Sequence, residues 1–231
     1  MGDCYENGRG VEKDHNKAVN YYEMSAKQGN IKALNKLGNI YYNGENVKKD
    51  YKKARDYFKI AAQLNNSDAL YYLGDFYYFG YGVQKDYNKA KKYYEKSAQL
   101  NNPDALFMLG YLYLKGYGVK QDYNKAKELF ELAAKQNETE SFFYLGTIYE
   151  KGLGTIPNYL KAKEYYEQAS KKKDDYALYK LGYFYEKGLG VDQSFLKAKE
   201  YYELKGPYYS FSLIKIGTFY QNGHGVKQDY L

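Results

Sequence analysis

One order of apolar, small and polar positions recurs along the whole chain. Its most regular marker is a glycine that follows an apolar residue and stands three residues before a tyrosine. Successive markers lie 36 residues apart, except for a last step of 35 residues. A fixed period of this length, with apolar residues at helical spacing, predicts stacked helix-turn-helix repeats. These repeat glycines are Gly2, Gly38, Gly74, Gly110, Gly146, Gly182 and Gly217.

The first half of each repeat predicts a helix and a tight connection, as the segment around Gly74 illustrates. Asn66 is a favoured N-cap residue, and the apolar positions that follow it predict a first helix over about residues 67–79. Gly80 and Gly82 can both adopt positive φ, so they predict a sharp turn after this helix. A glycine inside a helix costs about 1 kcal/mol relative to alanine. The recurrence of the repeat glycine therefore predicts that a neighbouring helix leaves no room for a side chain there.

The second half of each repeat predicts another helix. Asp86 is a favoured N-cap residue, and the pattern after it predicts a helix over about residues 87–100. The equivalent predicted caps are Asp14, Asp50, Asp86, Asp122, Asn158, Ser194 and Asp229. Residues that tolerate positive φ are predicted to close the second helices, at Gly29, Asn65, Asn101 and Asn137. The last repeat is one residue short, which predicts an irregular junction over residues 205–211.

The complete motif resembles a known repeat. Its order is Ala-Leu-x-x-Leu-Gly-x-x-Tyr, then Gly-x-Gly-Val, then Asp-x-x-Lys-Ala-x-x-Tyr-Tyr-Glu-x-Ala-Ala, and it resembles the Sel1-like repeat of the tetratricopeptide-like superfamily. The resemblance implies an all-α fold, an α/α right-handed superhelical solenoid whose first helices line the concave face. It also implies a scaffold or adaptor that binds other proteins. We expect one solenoid domain over residues 1–231, as part of a longer array or with its ends covered by a partner.

Composition and charge exclude some classes of protein and leave others open. The net charge of +7 permits acidic partners without requiring them. The single cysteine, Cys4, excludes an intrachain disulfide, and it separates the chain from the cysteine-rich secreted branch of Sel1-like proteins. The penicillin binding claimed for that branch is therefore not transferred. Since neither a signal peptide nor a long apolar run is present, we expect a cytoplasmic location and no membrane association.

Residues for catalysis or metal binding are scarce. The two histidines, His15 and His224, have no cysteine or carboxylate at ligand spacing, so we expect them on the surface. The Gly-x-Gly loops follow helices and lack the other residues of a phosphate-binding motif. We therefore expect no catalytic residues, no cofactor and no metal.

One set of positions is a candidate binding site. Carried over from tetratricopeptide first helices, the groove positions lie three residues before the repeat glycine (position −3), one after it (position +1) and four after it (position +4). They fall outside the core pattern and are unusually aromatic in the middle repeats. Large rigid side chains of this kind suit a bound helix or extended peptide. An alternative is that they pack only between neighbouring helices. The candidate residues are Tyr42, Tyr71, Asp75, Tyr78, Phe107, Tyr111, Phe143, Tyr179 and Tyr183.

These observations favour a non-catalytic protein-binding scaffold over two alternatives. The first alternative is a nucleic-acid-binding repeat protein that uses lysine and tyrosine. Lysine is concentrated on the predicted second helices and the groove aromatics lie on the first, so we favour nucleic acid less as a partner. The second is a hydrolase, by analogy with the cysteine-rich Sel1-like proteins. Self-association through uncapped repeat ends is a further expectation.

Overall fold

The described part of the chain is built from helices alone. The computed structural model describes residues 1–172, 174–204 and 209–227, and these ranges contain helices and no strand. The all-α prediction is therefore confirmed. The helices are α1 (Gly2–Asn7), α2 (His15–Ala26), α3 (Ile31–Asn43), α4 (Tyr51–Gln63), α5 (Ser67–Asp75, continued by a π-helical turn at Phe76–Gly80), α6 (Tyr87–Gln99), α7 (Pro103–Lys115), α8 (Tyr123–Lys135), α9 (Thr139–Lys151), α10 (Tyr159–Lys171), α11 (Asp175–Lys187), α12 (Phe195–Glu203) and α13 (Tyr209–Asn222).

The helices pack in chain order, as a helical repeat array requires. The chain forms two compact units: unit 1 comprises residues 1–112 and 116–120, and unit 2 comprises residues 113–115 and 121–231. Consecutive helices pack on one another from α1 to α6 in unit 1 and from α8 to α13 in unit 2, so the repeats stack on their neighbours. This arrangement is the predicted solenoid of helix-turn-helix repeats. The organisation of residues 1–231 as a single domain stays a prediction.

The predicted caps hold the second helices in place. In six repeats the cap side chain accepts a hydrogen bond from the backbone N–H three residues later, at 2.9–3.3 Å. The seventh predicted cap, Asp229, lies outside the described residues. The capping residues are Asp14, Asp50, Asp86, Asp122, Asn158 and Ser194.

Asp50→Ala tests the contribution of one cap. We expect the free energy of unfolding to fall by about 1 kcal/mol, because the N–H of Lys53 loses its acceptor at 2.9 Å. Urea unfolding followed by far-UV circular dichroism measures the change. Asp56→Ala is the matched control, since Asp56 lies inside α4 with an exposed side chain and a long 3.9 Å contact to Lys59. An equal loss in the two variants would contradict a capping role.

The predicted turn residues adopt positive φ. Gly80 and Gly82 have φ of 79° and 62°, and the asparagines that close second helices have φ between 57° and 65°. After each loop the chain bonds back to the first helix, as the Asp86 N–H does to the Tyr77 carbonyl at 2.9 Å. These features fix the angle between the two helices of a repeat. The irregular junction predicted for residues 205–211 falls partly on residues 205–208, which lie outside the described residues.

The repeat glycines lie where the second helix presses an aromatic ring against the first. A Cβ atom added to Gly38 would lie 2.5 Å from the ring of Phe58, and one added to Gly74 would lie 2.4 Å from the ring of Tyr94. Real Cβ contacts are not this short, so alanine would force the ring or the helix to move. The prediction that no side chain fits is confirmed at five positions, namely Gly2, Gly38, Gly74, Gly146 and Gly182. It is wrong at Gly217, where no atom of the described residues lies within 4 Å of an added Cβ.

None of the described helices combines the length and the apolarity that crossing a bilayer requires.

Candidate functional site

The nine candidate groove residues lie on first helices, as predicted. Tyr42 belongs to α3, and the others follow on α5 with its π-helical turn, α7, α9 and α11. Their eight aromatic side chains are half-buried, and Asp75 alone is buried, with 5% of its surface exposed. A half-buried ring keeps one part in the helix packing and another part in contact with solvent. Both hypotheses for these positions, groove and interhelical packing, therefore stay open.

The aromatic residues at position −3 rest on the second helix of their own repeat. Ring centroids are 5.9 Å apart for Tyr71 and Tyr94 and 5.6 Å apart for Phe143 and Tyr166. Tyr179 lies in the same way against its second-helix tyrosine. These contacts orient one edge of each ring and limit its rotamers.

Within unit 1, groove residues contact the first helix of the next repeat. Tyr42 of α3 packs against Tyr72 and Phe76 of the next first helix, with centroid distances of 5.5 and 5.6 Å. Tyr78 approaches Tyr111 of α7 at 6.5 Å. The structure therefore brings Tyr42, Tyr71, Asp75, Tyr78, Phe107 and Tyr111 onto consecutive first helices of one unit, and Phe143, Tyr179 and Tyr183 onto those of the other.

Sequence reasoning missed a hydrogen bond between the two helices of a repeat. The Tyr94 hydroxyl donates to Asp75 at 2.6 Å, and the Tyr166 hydroxyl donates to Glu150 at 2.5 Å. In each case the carboxylate occupies position +1 or +4, and the hydroxyl belongs to the ring that covers the repeat glycine. The same bond occurs from Tyr22 to Asp3 and Glu6, and from Tyr202 to Glu186.

The sequence carries a signal for this bond that comparison between repeats could have found. Where the second-helix ring is a tyrosine, position +1 or +4 is an acid. Where the ring is a phenylalanine, at Phe58 and Phe130, both positions are neutral. A buried hydroxyl needs a partner and a phenyl ring does not, which explains the correlation.

Three of these carboxylates also bind a lysine of the next repeat. The lysine stands two residues before the next repeat glycine (position −2), and its ammonium group lies 2.8–3.0 Å from the carboxylate. Each trio joins two helices of one repeat to the first helix of the following repeat. The trios are Tyr22–Glu6–Lys36, Tyr166–Glu150–Lys180 and Tyr202–Glu186–Lys215.

Of the four repeats with a second-helix tyrosine, the repeat of Asp75 is the exception, since no lysine or arginine pairs with Asp75 among the described residues. Position −2 of the next repeat is Met108, which is buried. Burial raises the pKa of Asp75 to about 7, although the hydroxyls of Tyr94 and Tyr71 oppose the change. At Glu186 burial acts in the same direction, but the ammonium groups of Lys187 and Lys215 hold the pKa below its usual value.

Two further groove side chains of unit 1 present acceptors that lack donors. The Oδ1 atoms of Asn35 and Asn39, at positions −3 and +1 of α3, are buried without a hydrogen-bond partner. The Asn35 amide nitrogen donates to the Asn66 side chain at 2.9 Å, which fixes the side chain's orientation. Buried acceptors without donors are uncommon in folded proteins.

Lysine and tyrosine also meet along a second row. The tyrosine three residues after the repeat glycine stacks on a tyrosine of the second helix, at centroid distances of 5.5–5.9 Å in five repeats. A lysine of that helix lies over the first-helix ring in each case, 4.3–5.4 Å from its centroid. Lysine and tyrosine are therefore in contact, and these ring faces are already occupied by each other and by lysine. Nucleic-acid binding by them stays an untested, less favoured alternative.

Comparison with known proteins places this geometry in a family. The Sel1 repeat model matches seven segments that together span most of the chain, namely residues 1–30, 31–66, 67–102, 103–138, 141–174, 175–204 and 210–231. The chain belongs to the Sel1 repeat family. Sel1 repeat proteins generally mediate protein–protein interaction. No curated protein matches this Sel1 repeat chain.

Several solved structures resemble this chain in fold. A protective antigen present in uropathogenic Escherichia coli strains, which displays an SLR fold, is 29% identical with a TM-score of 0.86. The match covers 99% of this chain and 49% of the antigen, so the chain spans about half the length of that protein. A Sel1 repeat protein from Oxalobacter formigenes is 30% identical with a TM-score of 0.80, over 92% of this chain and 84% of the other. An immunity protein from Pseudomonas aeruginosa is 25% identical with a TM-score of 0.56, over 86% and 74% of the two chains.

Each residue considered for chemistry has its own local surroundings in this Sel1 repeat protein. His15 lies 3.2 Å from the Asn46 side chain, and exposed His224 stacks on Phe195 at 4.5 Å. Cys4 is a half-buried free thiol. Among the described residues no three His, Cys, Asp or Glu side chains are grouped to hold a metal ion.

Proposed function

We propose that this Sel1 repeat protein is a non-catalytic adaptor that binds a peptide or helix of a partner protein along the concave face of its first helices. The observation that carries the proposal is the exposure of the groove positions. Eight aromatic side chains there are half-buried, and three of them, Tyr71, Phe143 and Tyr179, contact a tyrosine ring of their own second helix. Rings held in this way lose little entropy when a ligand covers their exposed parts.

The groove of unit 1 supports the proposal most directly. The aromatic groove residues of α5, its π-helical turn and α7 are Tyr71, Tyr78, Phe107 and Tyr111. The ring of Tyr111 contacts those of both Phe107 and Tyr78, at 6.3 and 6.5 Å. A helix or extended peptide presents side chains at intervals that suit such a series of rings. Tyrosine hydroxyls and the unpaired asparagine acceptors supply polar contacts beside the apolar ones.

Peptide display and alanine substitution test the proposal. Peptides selected on the wild-type protein from a random library are expected to lose at least tenfold in affinity with Tyr71→Ala, Phe107→Ala or Tyr179→Ala, because buried aromatic anchors dominate binding energy. Pull-down of a partner with the same variants is expected to show the same loss. Fluorescence anisotropy gives the affinities, and far-UV circular dichroism confirms that each variant folds.

Leu132→Ala is the matched control. Leu132 is an exposed apolar residue on α8, a second helix, with 47% of its surface accessible. Its truncation removes similar apolar surface away from the groove and is expected to leave affinity unchanged. Selected peptides that bind all three groove variants as tightly as the wild type would contradict the concave-face site.

A further inference from the structure

We propose that the groove of unit 1 contains a subsite for a basic side chain, in which the carboxylate of Asp75 and the hydroxyl of Tyr94 receive the ammonium or guanidinium group of a lysine or arginine from the partner. This inference rests on the proposed function and names the chemistry of the ligand. It identifies a specificity-determining residue, Asp75, within the groove.

Other repeats show how such a slot is filled. The Tyr22 hydroxyl lies 2.6 Å from Asp3 and 2.8 Å from Glu6, so carboxylates at positions +1 and +4 converge on one hydroxyl. Lys36 then approaches Glu6 to 2.8 Å from the next first helix. A slot of this kind therefore holds three groups: a tyrosine hydroxyl, a carboxylate and a lysine ammonium.

The slot at Asp75 holds a carboxylate and hydroxyls but, among the described residues, no cation. The Tyr94 hydroxyl lies 2.6 Å from the Asp75 carboxylate, and the Tyr71 hydroxyl bonds to the same carboxylate. Where the internal lysine would start, the chain has Met108, whose thioether carries no charge. A buried carboxylate without a counter-ion is costly, and a cation delivered by a ligand removes that cost. The missing cation thus favours a positively charged group from outside the chain.

The surroundings of the slot suit a long basic side chain. The half-buried rings of Tyr71, Tyr78 and Tyr111 lie on the same consecutive first helices, and aromatic faces attract ammonium and guanidinium groups. Asn39 on the preceding first helix contributes an unpaired buried acceptor. Since Asp75 itself is only 5% exposed, a flexible side chain with a terminal charge can reach it, whereas a short one cannot.

The display experiment of the proposed function provides the probes. Peptides selected on the wild-type protein are expected to share a lysine or arginine at one position. Replacing it by acetyl-lysine or citrulline is expected to weaken binding at least tenfold. Asp75→Asn is expected to cause the same loss of affinity for the basic peptide. It is expected to leave unchanged the affinity for the peptide that carries acetyl-lysine or citrulline. Glu95→Gln, which removes an exposed carboxylate of α6 paired with Lys91 at 3.0 Å, is the matched control and is expected to leave both affinities unchanged.

The dependence of affinity on pH gives a second readout. The titratable groups that face Asp75 are Tyr94 on α6, Tyr71 and Tyr72 on its own helix, Tyr42 on α3 and Asp104 on α7. Burial raises the pKa of Asp75 to about 7, so the carboxylate that binds a cation forms as the pH rises through that value. Affinity for the basic peptide is expected to increase from pH 6 to pH 8 in the wild type and not in Asp75→Asn.

Met108→Lys tests the slot in two ways, through peptide affinity and through the stability of the free protein. A lysine there is expected to pair with Asp75. Because it would occupy the slot, we expect the affinity for the basic peptide to fall at least tenfold. In a double-mutant cycle with Asp75→Asn, we expect a coupling of at least tenfold in the unfolding equilibrium constant at pH 8. Peptides that bind without any basic preference would overturn the subsite and leave the adaptor proposal standing. Absence of coupling in the cycle would overturn the slot itself, whether or not peptides bind.

Discussion

Gly146→Ala is expected to lower the free energy of unfolding by roughly 3 kcal/mol, because it overfills a closed interface. The added Cβ would lie 2.6 and 2.7 Å from two carbons of the Tyr166 ring. That ring is fully buried and its hydroxyl is bonded to Glu150 at 2.5 Å, so it cannot move aside without losing the bond. The clash therefore outweighs the better helix propensity of alanine, which favours the variant by about 1 kcal/mol. Urea unfolding followed by far-UV circular dichroism measures the difference.

Gly217→Ala is the matched control for this prediction. Gly217 occupies the equivalent position in α13, yet no atom lies within 4 Å of a Cβ built there. With no ring to meet, the same substitution is expected to stabilise the protein by up to about 1 kcal/mol. The two substitutions should therefore have opposite signs. A similar loss in both would show that helix glycines matter here for a reason other than the approach of the second helix.

Asp75→Asn is expected to stabilise the protein at pH 8 by an amount on the order of 3 kcal/mol, and to lose this advantage near pH 4. Burial raises the pKa of Asp75 from the ordinary value of 3.8 to about 7, so the ionised form is disfavoured in the folded state. Below about pH 4 the carboxyl is protonated in both states and contributes no penalty. As the pH rises from about 4 to about 7, the carboxyl ionises in the unfolded state but not in the folded state, so wild-type stability falls by about 1.4 kcal/mol for each pH unit. Above about pH 7 the carboxyl is ionised in both states and the penalty stays constant.

The measurement is a series of urea unfolding curves from pH 4 to pH 8 on wild type and variant. Burial also raises the pKa of Glu138, to about 8. Glu138 is present in both proteins, so its contribution cancels in the difference between their free energies of unfolding. In the wild type the Tyr94 hydroxyl donates to Asp75 at 2.6 Å. Asparagine retains a side-chain oxygen that can accept this hydrogen bond. Glu95→Gln removes an exposed carboxylate and should show no such trend. A difference between wild type and Asp75→Asn that is constant with pH would contradict the raised pKa.

Most of the local structure could be predicted from the sequence because it depends on neighbouring residues. Asp86 caps α6 through the N–H of Lys89, three residues away, and Asn101 closes the same helix at a φ of 60°. The predicted first helix over about 67–79 corresponds to α5 and its π-helical turn, and the predicted second helix over 87–100 corresponds to Tyr87–Gln99. Seven copies of the pattern made each of these assignments stronger than one copy could.

The candidate groove was only partly predictable. Position within the repeat placed Tyr71 and Phe107 on first helices, because the 36-residue period fixes which helix a residue belongs to. It did not reveal how far each ring is covered, because coverage depends on the ring that the second helix supplies. Asp75 was chosen as a groove residue, and its burial under the Tyr94 hydroxyl became visible only once both helices were in place.

The sequence by itself determined the period, the helix boundaries and the caps, because these features arise within a few residues or from repetition of one pattern. The need for glycine at the repeat position depends on the ring that the second helix supplies, which is present at Gly146 and absent at Gly217. Only the tertiary structure decided which carboxylates pair with a lysine and which one remains without a cation. Lys36, Lys180 and Lys215 reach carboxylates about 30 residues away in the chain, and Met108 leaves Asp75 without such a partner. Ion pairing and burial depend on the distance between side chains of different helices, and packing of one repeat on the next sets that distance.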